Sequence, residues 1–241
     1  MDEKPNEPEM KEVLRQLSDI LLLNGNLLSN PGLYTGEMGL VLFFARYARF
    51  TQNELYLDYA YDLMDNIQKV RLNRYSLIGY KHGLAGIGAA IEYLVQNDYF
   101  EADTDAILDD FDDRIFNKYN LPSMSLDEII DILYYANWRL SGNSVRKDMI
   151  RRDILTKIKP VFIHHAVDMP MFQLCQRSTP DIFATQTFSK VLELIAKDDF
   201  WNKNSDVQGG LAGWGLSLLT VLDRDDSWYR LFPNDFKTLK K

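Results

Sequence analysis

Three short glycine-rich stretches with a common pattern decide the fold. They read GLYTGEMG at residues 32–39, HGLAGIG at 82–88 and GGLAGWG at 209–215. Ten of the thirteen glycines lie in these stretches, and each stretch opens an apolar segment with helical spacing. A glycine inside a helix costs about 1 kcal/mol relative to alanine. Because glycines three residues apart share one helix face, we expect a close neighbour on that face, such as another helix backbone.

The glycine-rich stretches recur with a period that is typical of helical hairpins. Gly83 follows Gly36 by 47 residues. Gly210 follows Gly83 by 127 residues, which is three steps of about 42. This period predicts further units near residues 125 and 168. We therefore expect about five hairpins, each with a glycine-rich inner helix and, in most, a more polar outer helix. The N-terminal helix would be the outer partner of the last inner helix, so that the array closes into a ring.

Helical periodicity also dominates the rest of the sequence, and the alternation typical of strands is nearly absent. The pattern therefore predicts an all-α protein. In chain order the predicted helices span residues 6–28, 37–50, 54–72, 84–96, 104–118, 126–140, 145–158, 181–196 and 211–222.

Three of the predicted helices have capping signals at their starts. Residues 51–54 (Thr-x-x-Glu) and 125–128 (Ser-x-x-Glu) fit the capping box, in which each side chain accepts a hydrogen bond from a backbone N–H of the other residue. Residues 179–181 (Thr-Pro-Asp) place a capping threonine first, then a proline and then an acid in the first turn.

The composition is that of an ordinary globular protein. Of 241 residues, 46% are hydrophobic and 26% are charged. A chain of this length can bury a large core. We expect a single domain over residues 1–241, with residues 1–5 flexible and residues 233–241 forming a solvated tail. The one cysteine, Cys175, excludes an intrachain disulfide and a cysteine-rich zinc module.

Charge and hydropathy limit the partners. The formal net charge of −8 disfavours nucleic acid and anionic membrane surfaces. The acidic N-terminus has no apolar core of a signal peptide, and no apolar run is long enough to span a membrane. With a free cysteine, these features predict a cytoplasmic protein.

Three segments that open with the glycine stretches carry a family resemblance. GLYTGEMGLVLFF (32–44), HGLAGIGAAIEYL (82–94) and GGLAGWGLSLLTVLD (209–223) resemble the lanthionine synthetase C-like family, the lanthipeptide cyclases. The resemblance runs from residue 32 to about residue 232 and is weak between 97 and 208. It implies an α/α toroid, in which inner helices opened by glycine turns are ringed by outer helices. The family has seven hairpins, so five would make this chain a short member.

The sequence departs from the cyclases at the zinc site. The resemblance implies a zinc bound by a cysteine that opens one inner helix and a Cys-His pair that opens the next, which makes the substrate cysteine a thiolate nucleophile. This chain has one cysteine and no Cys-His dipeptide, so the ligand set cannot be carried over and we expect no metal cofactor. If zinc were bound, Cys175, His164 and His165 would be its ligands. The alternative for these residues is a surface histidine pair and a buried, inert thiol.

Candidate functional residues gather where the glycine turns open the inner helices. His82 resembles the acid-base histidine of the family, and Glu37 is the second catalytic candidate. A capping or packing role is the alternative for both. The candidates for ligand binding share the same end of the predicted ring and are Tyr34, Lys81, Gln208 and Trp214. Trp214 would either stack on a ligand or fill the space left by its small neighbours.

These observations predict a lanthionine synthetase C-like protein that is zinc-free and catalytically degenerate. The resemblance implies that it binds a peptide or a partner enzyme in a peptide-modification pathway. The alternative is an active toroid enzyme, either a minimal peptide cyclase using Cys175 or a carbohydrate-processing enzyme. The latter needs two facing carboxylates about 5–10 Å apart, and Glu37 and Asp127 are the ones expected to reach the interior.

A third interpretation concerns the outer helices. The acidic cluster at residues 109–113 lies on a predicted outer helix and indicates a solvated face. An interaction scaffold that uses acidic outer helices would bind its partner more weakly as the salt concentration rises.

Overall fold

The structure, a computed structural model, describes residues 6–68, 77–118, 123–160 and 205–232. Within these ranges the chain is helical and contains no β-strand, which confirms the predicted all-α class. In chain order the α-helices are α1 (Glu7–Asn24), α2 (Glu37–Thr51), α3 (Glu54–Asn66), α4 (Leu84–Gln96), α5 (Thr104–Ile107), α6 (Asp109–Asp113), α7 (Leu126–Ser141), α8 (Lys147–Asp153) and α9 (Leu211–Asp223). Short 3-10 turns lie at Gly25–Leu27 and Ser227–Leu231, and π-helical turns at Arg114–Lys118 and Ile154–Ile158.

Four helices have the predicted bounds to within one residue, namely α2, α4, α7 and α9. The predicted helix 104–118 is instead divided at Leu108 into α5, α6 and a π-helical turn. Aspartate is a poor helix former, and four aspartates follow the break. The predicted helix 181–196, the end of the predicted helix 54–72 and the terminal segments 1–5 and 233–241 lie outside the described residues.

The predicted capping box at residues 125–128 is confirmed. The Ser125 hydroxyl accepts from the Glu128 N–H, and the Glu128 carboxylate accepts from the Ser125 N–H at 2.8 Å. Asn6 and Glu9 form a second capping box at the start of α1. The predicted cap at residues 179–181 lies outside the described part of the chain.

The predicted capping box at residues 51–54 is wrong. Gln52 adopts a left-handed conformation with φ 55° and ends α2, so Thr51 belongs to the last turn of that helix. The Thr51 hydroxyl donates to the Tyr47 carbonyl at 2.8 Å. Asn53 caps α3 instead, with its side chain accepting from the Leu55 N–H at 3.1 Å.

The helices that the glycine stretches open differ from their partners in burial. Residues 37–48 of α2, 84–94 of α4 and 211–219 of α9 are buried on every side. Helices α1 and α3 instead bury one stripe and expose the opposite face to solvent. The predicted alternation of apolar and more polar helices is therefore present.

The chain divides into two compact units. Unit 1 combines residues 1–74 with 179–227. In it, α2 packs against α3 and α9, and α9 packs against α1. This confirms the prediction that the N-terminal helix is the partner of the last glycine-opened helix.

Unit 2 combines residues 75–178 with 228–241. Here α4 packs against α7 and against the short helices α5 and α6, while α7 packs against α8. The single domain and the closed ring of hairpins remain predictions. No helix of the described residues is both long enough and apolar enough to cross a membrane.

Candidate functional site

The three glycine stretches form the same kind of helix start. Gly36, Gly83 and Gly210 are the N-cap residues of α2, α4 and α9, and each has an extended backbone. In the first two starts the preceding loop folds back onto the helix. The Glu37 N–H donates to the carbonyl seven residues earlier at 3.0 Å, and the Leu84 N–H does the same at 3.0 Å. The loop therefore uses helix N–H groups that would otherwise be free to bind a ligand.

Glycine is required at these starts because the loop backbone touches the helix. A Cβ on Gly83 would lie 2.5 Å from the Ile78 carbonyl carbon, and one on Gly36 would overlap the Asn30 backbone. A Cβ on Gly213 would overlap the Val207 carbonyl. These neighbours are loop backbone and not the helix backbone that the glycine spacing suggests.

Glycines further along the helices face aromatic rings of the neighbouring helix. A Cβ on Gly88 of α4 would lie 2.5 Å from the ring of Tyr135 on α7. A Cβ on Gly215 of α9 would overlap the ring of Phe43 on α2. The expected close approach is therefore real, but at these two positions an aromatic side chain fills the space.

In unit 1 the first and third glycine stretches meet. The Tyr34 carbonyl accepts from both the Val207 and Gln208 N–H groups, each at 3.0 Å. Gln208 is exposed, and Tyr34 is 9% exposed. Gly209 has φ 85°, and no atom of the described residues lies within 4 Å of the position that a Cβ would take. The structure thus brings the predicted residues Tyr34 and Gln208 together.

Trp214 lies in the first turns of α9, beyond Gly210, and is 9% exposed. Its backbone N–H donates to the Gly210 carbonyl at 3.2 Å. The indole is therefore mostly packed, and a small edge reaches the surface of unit 1.

Asp206 is a buried carboxyl group that the sequence did not single out. It lies four residues before the N-cap Gly210 and is 6% exposed. Its backbone carbonyl accepts from the Gly213 N–H at 3.3 Å. Burial raises the pKa of Asp206, and a hydrogen bond from the Gly210 N–H opposes that rise. Within the described residues its Oδ1 atom has no hydrogen-bond partner.

Glu37, the second catalytic candidate, is fully buried in the first turn of α2. The Asn66 side-chain amide donates to its carboxylate at 3.2 Å. Burial raises the pKa of Tyr59, and the Glu37 charge raises it further. A carboxylate in the first turn is favoured by the helix dipole, so the position of Glu37 suits a structural role.

In unit 2 the second glycine stretch carries Lys81, which is half-buried, and His82, which is exposed. Asp131 of α7 faces this turn, and its Oδ2 accepts from the Tyr80 N–H at 2.9 Å. Burial raises the pKa of Asp131 to about 6, against the effects of the Tyr80 N–H and the Lys81 charge. The carboxylates that precede Asp131 on α7 add to the rise.

The expectation that Asp127 reaches the interior is wrong, because Asp127 is exposed. Asp131 lies one turn further along α7 and is the carboxyl that approaches the glycine turn. Asp127 and Asp131 are four residues apart and lie on the same face of α7. Helical periodicity therefore does not indicate which of the two carboxyl groups is buried, and it did not single out Asp131.

Part of the acidic cluster at residues 109–113 is not solvated. Asp112 is 1% exposed and accepts from the guanidinium of Arg139 at 2.8 Å. Arg139 is fully buried and also pairs with Glu92 at 2.6 Å and Asp105 at 2.7 Å. The Tyr135 hydroxyl donates to Asp112 at 2.5 Å. The prediction of a solvated face is wrong at Asp112, because this residue forms a buried ion pair with Arg139.

This buried network ties four helices of unit 2 together. Although burial opposes ionisation of Asp105, hydrogen bonds from Ser144, the Val145 N–H and Arg139 hold its pKa below the usual value. Burial and the Asp112 charge raise the pKa of Tyr135 well above its usual value. The two pKa shifts favour an ionised Asp105 and a neutral Tyr135. We therefore interpret the network as a structural connection between the helices.

The three conditional zinc ligands, Cys175, His164 and His165, lie outside the described residues. In the ranges that the structure covers, no group of three His, Cys, Asp or Glu side chains is placed to hold a metal ion. A single thiol in the whole chain does not fit the two-cysteine ligand set of the cyclases.

Comparison with protein-family models gives a match over part of the chain. The model of the family described as lanthionine synthetase C-like protein matches residues 28–134, which is less than half of the chain. The matched part contains the first two glycine stretches, while the third lies outside it. Comparison with the curated proteins and with the solved structures finds no match.

Proposed function

We propose that this chain, whose residues 28–134 match the lanthionine synthetase C-like family model, is a zinc-free, catalytically degenerate member of that family that binds a peptide. The peptide would belong to a peptide-modification pathway, either as a free chain or as part of a partner enzyme. The binding surface in unit 1 consists of Tyr34, Gln208 and Trp214.

The junction of the first and third glycine stretches carries this proposal. Two backbone hydrogen bonds to the Tyr34 carbonyl hold the loop that presents Gln208. The exposed Gln208 amide can both donate to and accept from a peptide backbone. The open backbone at Gly209 lets a bound chain approach closely. The surface therefore offers polar groups that suit an extended peptide, beside the accessible edges of two aromatic side chains.

Two observations support the absence of cyclase chemistry. The chain has one cysteine, so the zinc-thiolate site of the cyclases lacks a ligand. Glu37 is fully buried in unit 1, which favours a structural role for this carboxylate. A binding role needs neither group.

One observation favours an active enzyme as the second candidate function. Asp131 has a pKa of about 6 and faces the turn that carries His82. A carboxyl group with such a pKa is suited to proton transfer near neutral pH. An active enzyme would lose turnover in Asp131→Asn, whereas a binding protein would keep its peptide affinity.

The binding proposal is tested with fluorescein-labelled peptides that contain Ser, Thr and Cys, the residues joined in lanthionine formation. Fluorescence anisotropy is measured with the wild type, Gln208→Ala, Trp214→Ala and the control Leu155→Ala, whose side chain is exposed in unit 2. We expect a loss of about fivefold for Gln208→Ala, as for one hydrogen bond. Trp214→Ala should also lose about fivefold, because only an edge of the indole is accessible to the peptide.

The Leu155→Ala control should bind like the wild type. Because Gln208 is exposed, its variant keeps the fold and separates a lost contact from unfolding. Equal affinities of the wild type and both unit 1 variants, or no binding by any peptide, would contradict the proposed site.

A further inference from the structure

Asn30 lies in the loop before α2, and its side-chain amide binds that loop at two points. Its Oδ1 accepts from the Gly32 N–H at 2.9 Å, which is an Asx turn. Its Nδ2 donates to the Thr35 carbonyl at 2.9 Å. Residues 33–35 form a turn, so the two hydrogen bonds hold this turn from both sides. Tyr34, which belongs to the proposed peptide site, lies between them.

The backbone of Asn30 joins the same loop to the helix. Its carbonyl accepts from the Glu37 N–H at 3.0 Å. A Cβ on Gly36 would overlap both the Oδ1 and the carbonyl oxygen of Asn30, so the amide lies directly against the start of α2. Asn30 is half-buried there. Its side chain is therefore held between the turn and the helix.

The turn at residues 33–35 holds a segment that is distant in the sequence. The Tyr34 carbonyl accepts from the Val207 and Gln208 N–H groups, each at 3.0 Å. A Cβ on Gly39 of α2 would lie 2.5 Å from the Val207 side chain and 2.7 Å from a carbonyl oxygen of the turn, so the two loops lie together on α2. The position of the exposed Gln208 therefore depends on the position of this turn.

The second glycine start forms without such an amide. Leu77 takes the equivalent place, seven residues before Leu84, and its side chain is 56% exposed. Its carbonyl still accepts from the Leu84 N–H at 3.0 Å. The Asp131 carboxylate of α7 holds this loop instead, through the Tyr80 N–H. A glycine start therefore does not itself require an amide at this position, so the side chain of Asn30 serves the loop of its own start.

We propose that Asn30 is a positioning residue of the peptide site, which fixes the Tyr34 carbonyl and thereby the direction in which Gln208 faces a bound peptide. Asn30 acts without touching the peptide, because its amide already bonds to the loop on both sides of Tyr34. An exposed glutamine binds a peptide more tightly when its backbone is held in place beforehand, since less conformational freedom is lost on binding. The inference rests on the proposed function, because it states how the binding surface is held.

The first measurement needs no peptide. Amide hydrogen exchange is followed by nuclear magnetic resonance in isotope-labelled protein at Val207 and Gln208, called the loop amides below. The Leu218 amide inside α9 is the reference for the core of unit 1. The variants are Asn30→Ala, Asn30→Asp and the matched control Leu77→Ala, at the equivalent place in the second start.

We expect the loop amides to exchange about tenfold faster in Asn30→Ala than in the wild type, because the variant loses both side-chain hydrogen bonds to the turn. Asn30→Asp keeps the acceptor for the Gly32 N–H and should show a smaller acceleration, of about threefold. Leu77→Ala should match the wild type. The Leu218 amide should be unchanged in every variant, which separates the loss of the loop contact from unfolding.

The second measurement is the affinity of the Ser-Thr-Cys peptides for Asn30→Ala, Gln208→Ala and the variant with both changes. Asn30→Ala should weaken binding about fivefold. The double variant should bind as Gln208→Ala does, because Asn30 acts through Gln208. Losses that multiply, to about 25-fold in the double variant, would show two independent effects and would contradict the positioning role.

Exchange of the loop amides in Asn30→Ala at the wild-type rate would overturn the positioning role. An equal acceleration in Leu77→Ala, or at the Leu218 amide, would overturn it as well. The proposed peptide site fails separately, when the wild type binds no peptide or when Gln208→Ala and Trp214→Ala bind as the wild type does. In that case the exchange rates still decide whether Asn30 holds the loop of Gln208.

Discussion

The buried charged residues of this protein differ in how many of their polar atoms form ion pairs or hydrogen bonds. Arg139 pairs with three carboxylates, two of them buried. Arg46 is equally buried and pairs with Asp223 at 2.9 Å, yet within the described residues its Nε and Nη1 atoms have no hydrogen-bond partner. Asp206 has one unpartnered oxygen in the same sense. A buried polar atom without a hydrogen-bond partner lowers the stability of the fold. Side-chain packing alone therefore gives no reason for the burial of Arg46 and Asp206.

Asp131 makes the stability of the protein depend on pH. Its folded pKa of about 6 lies above the unfolded value of about 3.9. The folded state therefore favours the neutral carboxyl. Its contribution to the free energy of unfolding is complete below pH 3.9 and is lost as the pH rises through 6. Between pH 4.5 and pH 7.5 we expect a loss of about 1–2 kcal/mol from this group.

The measurement is urea unfolding of the wild type and Asp131→Asn at both pH values. Asparagine keeps an oxygen that accepts from the Tyr80 N–H but carries no titrating group. The variant should therefore lose less stability than the wild type over this interval. Asp148→Asn, at an exposed position on α8, is the matched control and should follow the wild type. Parallel pH dependence of Asp131→Asn and the wild type would contradict the assignment.

The sequence predicted some of the site residues but not the buried carboxyl groups beside them. Tyr34, Lys81, Gln208 and Trp214 are predicted to share one end of the ring, and the structure joins two of them, since the Tyr34 carbonyl accepts from the Gln208 N–H. Asp206, Asp131 and the inward turn of Asp112 were not foreseen. Their roles depend on which side chain of another helix lies opposite, and a single sequence carries no signal for that.

At the scale of the element, the glycine turn is the repeated structural unit. Gly83→Ala should lower the free energy of unfolding by about 1–3 kcal/mol. The new Cβ would lie 2.5 Å from the Ile78 carbonyl carbon and 2.6 Å from the Gly79 nitrogen. Both are backbone atoms that cannot yield without moving the turn. Urea unfolding measures the loss.

Gly79→Ala is the matched comparison in the same turn. Among the described residues its Cβ would meet only the Asp131 carboxylate, at 3.3 Å, which can rotate away. The loss should therefore be smaller than at Gly83. Equal stability of Gly83→Ala and the wild type would mean that the turn is not held as the structure shows.

The elements themselves follow closely from local sequence signals. Periodicity predicted α2, α4, α7 and α9 almost to the residue, and the Ser125 capping box is confirmed. The 51–54 box failed because the same letters fit a position inside the last turn of α2. Capping patterns are local, and the left-handed Gln52 that separates the two helices has no strong sequence signal.

At the scale of the whole molecule, the N-terminal helix and the last glycine-opened helix, which are far apart in the sequence, belong to one compact unit. Helix α1 packs against α9, as expected if the last glycine-opened helix takes the N-terminal helix as its partner. The closed ring stays a prediction. The family match covers residues 28–134, and the third glycine stretch, at 209–215, lies beyond it.

We propose that the chain acts without the zinc of the cyclases that its glycine stretches resemble. Mass spectrometric metal analysis of the untagged protein at neutral pH tests it most directly, with Cys175→Ala prepared in parallel. We expect no stoichiometric zinc in either protein. About one zinc per wild-type chain, lost in Cys175→Ala, would contradict the zinc-free proposal and favour the minimal cyclase, with Cys175 as a ligand.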